Sequence, residues 1–371
     1  MKKILILANN DGGLYSFRKE LIEKLVEEKY EVYTSFPDGE RRKDIEQLGC
    51  HYIETKVDRR GTNIIKDFSL LRQYIKILKK VKPDVVLTYT IKPNIYGGIA
   101  CRLKKVPYIE NITGLGTAVE NPGILQKLTL ILYRIALKKA RCVFFQNEEN
   151  QNFLVSKKVV KEHYRRIPGS GVNIDKFIYR EYPQEDQIHF IFISRIMKQK
   201  GIDQYLYIAE KIKEKYQNIT FHILGFCEEN YVKQLEELQQ KGIILYHGLQ
   251  KDVKPFIEQC HCTIHPSYYP EGMSNVLLES CATGRPIITT NRSGCKEIVE
   301  ENVNGYLVKI KDEKDLLEKV EKFINLPYNE KRKMGIKARE KIEREFDRNI
   351  VVSSYLEEIE KIELSNREER K

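Results

Sequence analysis

Turn formers are scarce in this chain of 371 residues: 21 Gly and 12 Pro leave no room for a collagen-like or low-complexity organisation. Its eight cysteines contain no C-x-x-C spacing, which gives a disulfide framework or zinc ribbon no support and points to a reducing compartment. Long apolar runs are missing as well. The best stretch, Ile124–Leu137, carries Lys127 and Arg134 and falls short of the ~18 uncharged residues of a spanning helix. The apolar residues 4–8 that follow Met1-Lys2-Lys3 are too few for a signal-peptide core and are broken by Asn9, Asn10 and Asp11, so export is not expected. Contact with a membrane surface is compatible with these absences; passage through one is not.

What is present is globular: 41% hydrophobic and 32% charged residues, at a length that suits two domains. The net charge of +11 calls for an anionic partner, and it is unevenly placed. Residues 1–180 hold 34 basic and 20 acidic side chains, a surplus of +14, whereas the remainder holds 30 and 33. Short runs rich in β-branched and aromatic residues occur at 4–8, 31–36, 85–90, 108–113 and 143–146, and again at 190–194, 220–224, 243–247, 263–266 and 286–290, with helical patterns between them. That alternation predicts an α/β protein with two parallel sheets, each covered on both faces. The turn cluster Ile167-Pro168-Gly169-Ser170-Gly171 separates the two series. Two Rossmann-like domains are therefore expected, 1–168 and 169–345, with a charged helical tail at 346–371 that either ends the second or packs back on the first.

In doubly wound sheets ligands bind beyond the carboxyl ends of the strands, so the loops there carry the function. After the first run, Asn9-Asn10-Asp11-Gly12-Gly13 leads into a helix. The paired glycines allow close backbone approach and the helix N-terminus favours an anion, although the spacing is not the G-x-G-x-x-G of a dinucleotide site. In the second half, Arg195 at a strand end and Lys200 five residues later suit a diphosphate. Glu271 precedes Gly272-Met273-Ser274-Asn275-Val276, where a helix is expected to open near Ser274 and present backbone N–H groups. Glu279 follows about two turns into that helix, so two carboxylates are available to read hydroxyls.

Two glutamates separated by seven residues, with an Arg and Lys pair earlier in the same domain, resemble glycosyltransferase family 4, retaining enzymes with the two-domain GT-B fold. Gly12-Gly13, Leu224-Gly225, His247-Gly248-Leu249 and the run from Cys281 to Ile288 add to the likeness, which spans essentially the whole chain. The resemblance implies two domains facing across a cleft. It implies that Arg195 and Lys200 hold the donor diphosphate, that Glu271 and the amides of residues 272–275 hold the donor sugar, and that Glu279 binds the ribose. Val276, Gly225 and Leu249 fall on loops of the donor-binding half and Gly13 on the first loop of the N-terminal half, and all four are counted as substrate-binding by the same resemblance. No D-x-D motif occurs, so protein cations are expected to stabilise the leaving diphosphate without a metal, and no cofactor is implied. The family commonly carries a His after the fourth strand of the first domain; this chain has Thr88-Tyr89-Thr90-Ile91-Lys92-Pro93-Asn94 there, and Asn111-Ile112-Thr113 one strand later. Both segments resemble the branch that extends undecaprenyl-diphosphate-linked saccharides in capsule, O-antigen and bacterial glycoprotein assembly. That branch implies a UDP-sugar donor, N-acetylgalactosamine as the first expectation, an acceptor held near Lys92, Asn94, Asn111 and Thr113, and peripheral attachment to the cytoplasmic face of the inner membrane.

The basic half offers a surface for such attachment. In Ile124–Leu137 the residues Leu125, Leu128, Leu132 and Ile135 form one stripe, and Lys127, Arg134, Lys138 and Arg141 a cationic one. Residues 64–80 repeat the pattern, with Ile64, Phe68, Leu71, Ile75 and Leu78 beside Lys66, Arg72, Lys76, Lys79 and Lys80. Basic amphipathic helices suit an anionic bilayer; ordinary core packing predicts the same spacing. Cys260, His261, Cys262 and His265 read as buried strand residues, because alternation sends His261 and Cys262 to opposite faces. Two other readings stay open at this level: a sugar-nucleotide epimerase of similar fold, and an RNA-binding protein, the latter lacking an RNP-like aromatic strand or an Arg-rich tract.

Overall fold

A computed structural model describes residues 1–58, 61, 63–116, 119, 121–184 and 186–368. The chain divides into two compact units. Unit 1 comprises Met1–Ser170 with Arg348–Lys371, and unit 2 is Gly171–Asp347.

Among its described residues unit 1 contains seven strands, β1 (Lys3–Leu7), β2 (Glu31–Phe36), β3 (His51–Glu54), β4 (Val85–Tyr89), β5 (Tyr108–Ile112), β6 (Cys142–Phe145) and β7 (Tyr164–Arg166). They form one parallel sheet in the order β3-β2-β1-β4-β5-β6-β7. Successive residues of β1 serve opposite faces: Leu5 and Leu7 enter one core with Tyr74 and Tyr133, while Ile4 and Ile6 enter another with Leu21 and Tyr355. This is the burial of both faces that parallel sheets require. The second core closes with the helix Arg348–Glu368, whose Tyr355 hydroxyl accepts from Asn111 Nδ2 at 2.6 Å, so the tail packs on unit 1. The last three residues of the expected tail lie outside the described residues.

Unit 2 has β8 (Ile188–Ile193), β9 (Ile219–Leu224), β10 (Leu245–Tyr246), β11 (Cys262–His265), β12 (Ile287–Thr290) and β13 (Gly305–Val308), parallel in the order β10-β9-β8-β11-β12-β13. In both sheets the first strand lies centrally and the chain winds outward in opposite directions from it. The switch points, where ligand crevices form in such sheets, fall between β1 and β4 and between β8 and β11.

The ten runs read from the sequence all become strands. Three strands have no counterpart among them: β3, β7 and β13, which lie at sheet edges. The apolar stripes read from the sequence divide between surface and core. In Ile124–Leu137 the core face is Thr129, Leu130, Tyr133, Ala136 and Leu137, whereas Ile124, Leu125, Leu128, Ile131 and Ile135 are exposed. In Ile64–Val81 the core takes Leu70, Tyr74, Ile77, Leu78 and Val81, while Ile64, Ile65 and Phe68 face outward. Each helix is apolar over more than one face, and periodicity alone does not say which face is buried. No described helix is long and apolar enough to cross a membrane.

Candidate functional site at the switch point of unit 2

The loops after β8 and β11 are stitched together before any functional side chain is placed. Tyr268 N–H donates to the Gln199 carbonyl at 2.9 Å. Gly201 adopts φ +82, and a Cβ there would lie 2.3 Å from the Pro266 carbonyl oxygen, so only glycine lets the two loops meet. The loop after β9 is held equally closely, since a Cβ on Gly225 (φ +141) would lie 1.7 Å from the Ser194 carbonyl oxygen. Gly225 N–H in turn donates to the Gly248 carbonyl at 2.8 Å.

On this frame Lys200, only 8% exposed, forms an ion pair with Glu271. Arg195 pairs with Glu228, and both cations stand over the ring of Tyr269, at 5.4 Å for Arg195 and 4.8 Å for Lys200. Burial opposes the charge on Arg195, but the Glu228 partner outweighs it and the guanidinium pKa ends above its usual value. His265 Nε2 lies 4.0 Å from Glu271 Oε1. Its pKa is pushed down to about 3, first by burial and then by the Lys200 charge, so at neutral pH the imidazole is uncharged. The sequence reading treated Arg195 and Lys200 as two cations open to a diphosphate; each instead has a carboxylate partner. The physical reason is that a largely desolvated cation is costly without an anion beside it.

Ser274 precedes the helix Asn275–Ala282 as its N-cap, yet its side chain makes no capping bond. The first intrahelical bond is Leu278 N–H to the Ser274 carbonyl, so the amides of Asn275, Val276 and Leu277 lie ahead of the ladder. Asn275 Oδ1 is shut from water without a partner. Gly294 fixes this mouth: its carbonyl accepts from Ser274 N–H at 2.7 Å, and a Cβ on it would press on Glu271 Cβ at 2.7 Å. Gly272 and Met273 are buried between Glu271 and Ser274, Glu279 is half-buried further along the helix, and Leu249, in the loop after β10, is 70% exposed.

Arg195, Lys200, Glu271 and the helix mouth are thus neighbours around one switch point. Glu228, Tyr269 and Gly294 belong to the same cluster and were not singled out in the sequence; His265, which joins them, was read there as a buried strand residue, as it is, but given no part in the site. Only the position of Tyr269 beside Glu271 offered a signal; the others are brought in by sheet pairing. Among the described residues no group of three His, Cys, Asp or Glu side chains is arranged to hold a metal ion.

In unit 1 the expected residues behave differently. Gly13 N–H is taken by the Asn10 side chain at 2.6 Å, so the cap, not a ligand, satisfies it. Lys92 Nζ pairs with Asp67 Oδ1 at 2.6 Å and Tyr96 OH donates to Asp67 Oδ2 at 2.9 Å, so Lys92 is no open cation either. Asn94 and Asn111 are buried. Asn94 accepts from Thr88 Oγ1 at 2.7 Å and donates to the Asn111 carbonyl at 2.8 Å, and Asn111 also accepts from Gln146 Nε2 at 3.3 Å. These two amides brace the ends of β4, β5 and β6. Thr113, half-buried after β5, remains at the sheet's carboxyl edge.

Comparison with known proteins agrees with this arrangement. The family described as "Glycosyl transferases group 1" matches residues 174–341, and that described as "Glycosyl transferase 4-like" matches residues 3–147. An N,N'-diacetylbacillosaminyl-diphospho-undecaprenol alpha-1,3-N-acetylgalactosaminyltransferase of Campylobacter jejuni is 26% identical over 375 residues, covering 95% of this chain and 97% of the relative. A UDP-Gal:alpha-D-GlcNAc-diphosphoundecaprenol alpha-1,3-galactosyltransferase of Escherichia coli is 28% identical over 290 residues, covering 72% and 71%. In fold, the chain is similar to HepE of Anabaena, solved in complex with UDP and glucose, at a TM-score of 0.80 and 17% identity over 97% of this chain and 100% of that one. With both halves matched and both parallel-sheet units formed, the chain belongs to glycosyltransferase family 4, with the GT-B fold.

Proposed function

We propose that this glycosyltransferase moves a hexose or N-acetylhexosamine, N-acetylgalactosamine first among them, from a UDP-sugar to an undecaprenyl-diphosphate-linked saccharide with retention at the anomeric carbon. The observation that carries the donor half is the pair Lys200–Glu271, with Arg195 beside it, set against a helix mouth whose first amides have no side-chain cap. A diphosphate seated there exchanges the carboxylate partners of Arg195 and Lys200 for its own oxygens, and the amides ahead of the helix ladder add donors. Glu271, released from Lys200, accepts from a sugar hydroxyl. Glu279 takes the ribose, and Gly225 and Leu249 flank the nucleotide. The acceptor half rests on the names of the Campylobacter and Escherichia relatives, both of which act on diphospho-undecaprenol-linked sugars.

With no carboxylate reserved as a nucleophile, the glycosyl–phosphate bond loosens first. The leaving diphosphate, held by Arg195 and Lys200, takes the proton of the incoming hydroxyl on the same face. These cations supply the charge that a metal would, so transfer is metal-independent and survives a chelator. Unit 1, with its basic surplus and its exposed Ile64, Ile65, Phe68, Ile124, Leu125 and Leu128, rests on the anionic cytoplasmic face of the membrane that holds the glycolipid. The test is a screen of sugar nucleotides against undecaprenyl-diphosphate-linked diacetylbacillosamine, with NMR of the product. An α-linked N-acetylgalactosamine is the expected outcome; no transfer from any UDP-sugar overturns the reading.

A further inference from the structure

The switch point of unit 1 holds a strained residue that no role above uses. Thr90 directly follows β4 and adopts φ +71. The other described non-glycine residues with positive φ are lysines, one histidine and one asparagine, and Lys82 and Lys105 sit in the left-handed position that ends a helix. Thr90 is the one β-branched residue among them. A side chain branched at Cβ is the poorest fit to this backbone region, so nothing local favours threonine here. Such strain persists where the surrounding fold enforces it, and it gathers at sites that bind or react.

The fold does enforce it. The Thr90 carbonyl accepts from Asn94 N–H at 3.0 Å, which turns strand directly into helix, and Asn94 is itself locked between Thr88 and Asn111. The neighbouring loop after β5 also passes through positive φ, at Gly114 and Gly116, and comes within 3.3 Å of Ile91 as measured from the Cβ position of Gly116. There glycine meets the demand without strain; at position 90 the chain keeps a hydroxyl. That hydroxyl has no hydrogen-bond partner although its oxygen is shut from water, while the residue as a whole is only half-buried. Staggered χ1 wells interconvert, so a ligand at the half-buried residue can draw the hydroxyl out of its present well. An unpaired hydroxyl on a strained elbow, at the point of the sheet where ligands bind, is a hydrogen-bonding group held ready for a ligand.

We infer that Thr90 is a specificity-determining contact, its hydroxyl bonding a hydroxyl or amide of the acceptor saccharide; this rests on the proposed reading that unit 1 takes the acceptor. Three variants test it: Thr90→Val, Thr90→Ser and Thr90→Gly. Steady-state transfer to undecaprenyl-diphosphate-linked diacetylbacillosamine, UDP affinity by calorimetry and the melting temperature are measured for each. The isosteric valine lowers kcat/KM for the acceptor on the order of tenfold or more, with UDP affinity and melting temperature unchanged. Serine restores most of the transfer. Glycine, freed of strain, melts above the wild type yet transfers as poorly as valine. Valine acting like wild type overturns the proposal, as does serine failing along with valine, or a loss confined to UDP binding. A wild-type protein inactive on every polyprenyl-diphosphate saccharide removes the acceptor reading itself and this inference with it; wild-type activity alongside an active valine variant removes the inference alone.

Discussion

The ammonium of Lys200 is paired with the carboxylate of Glu271, 71 residues further along the chain, and both side chains are largely withdrawn from water. Two buried charges of opposite sign stabilise one another only while both are present. Lys200→Met leaves Glu271 beside an uncharged His265 and is expected to lower stability by about 3 kcal/mol, as is Glu271→Gln for the mirrored reason. The double variant Lys200→Met with Glu271→Gln regains most of that stability but none of the transfer. Urea unfolding and UDP calorimetry check this; a double variant as unstable as the singles means the pair is not coupled.

Gly294 has no side chain, and that is what leaves Glu271 its place. At φ +89, a Cβ on Gly294 would press on Glu271 Cβ at 2.7 Å and on the Gly272 carbonyl oxygen at 3.1 Å. Gly294→Ala therefore pushes the carboxylate and the helix mouth away from Lys200. We expect a fall in kcat/KM for the sugar nucleotide of about a hundredfold, since small displacements of positioning groups are costly. Stability drops by about 1 to 2 kcal/mol from the strained backbone. Transfer within twofold of wild type would show that the loop shifts without moving Glu271.

The strands buried on both faces were legible because their apolar runs are continuous: 31–36 was read with the bounds of β2, and 85–90 ran one residue past β4. β3 reads His-Tyr-Ile-Glu and β7 Tyr-Arg-Arg, edge strands half in solvent, and nothing in their composition separates them from loops. At the site, Glu271, Gly272 and Ser274 were visible because they are contiguous and open a helix. Glu228 and Gly294 were not, because they reach Arg195 and Glu271 only through the parallel pairing of β9 beside β8 and of β12 beside β11. The side-chain chemistry of Lys92 was legible, but its partner Asp67, 25 residues earlier, was not.

Histidines in unit 2 should make the protein acid-sensitive. Burial pushes His222 and His261 down to about 4 and His265 to about 3, so the folded state keeps them neutral. In the unfolded chain they protonate near their ordinary pKa of ~6.5. Between these values the unfolded state binds more protons, so stability is fully present above pH ~6.5 and falls as the pH drops toward 4. Each histidine contributes a slope of about 1.4 kcal/mol per pH unit within that window. Urea midpoints at pH 7.5, 6.5 and 5.5 report the slope. Replacing His261, whose Nδ1 accepts from His189 N–H at 3.1 Å, by Gln should flatten it by about one histidine's share. A midpoint that does not move from pH 6.5 to 5.5 contradicts the neutral assignment.

The exposed apolar side chains of unit 1 make a prediction that stability measurements alone would miss. Ile65 is 81% exposed and Ile124 87%, with Phe68, Leu128 and Ile131 also out of the core. The helices Ile64–Val81 and Ile124–Leu137 both pack against the helical turns at 93–104, so these residues belong to one layer of the unit. Replacing Ile65, Phe68, Leu128 and Ile131 by Ser trims side chains that are about half or more exposed, and each change should alter stability by about 1 kcal/mol or less. If the layer meets a bilayer, the same four changes remove apolar area that would enter the interface and should weaken binding to phosphatidylglycerol vesicles by about tenfold or more. The lysines around them predict that wild-type binding also falls as salt rises from 0.05 to about 0.5 M. Vesicle co-sedimentation separates the two contributions, since the serine variant should keep the salt dependence while losing affinity. Undiminished binding by that variant would move the membrane contact to another face of unit 1.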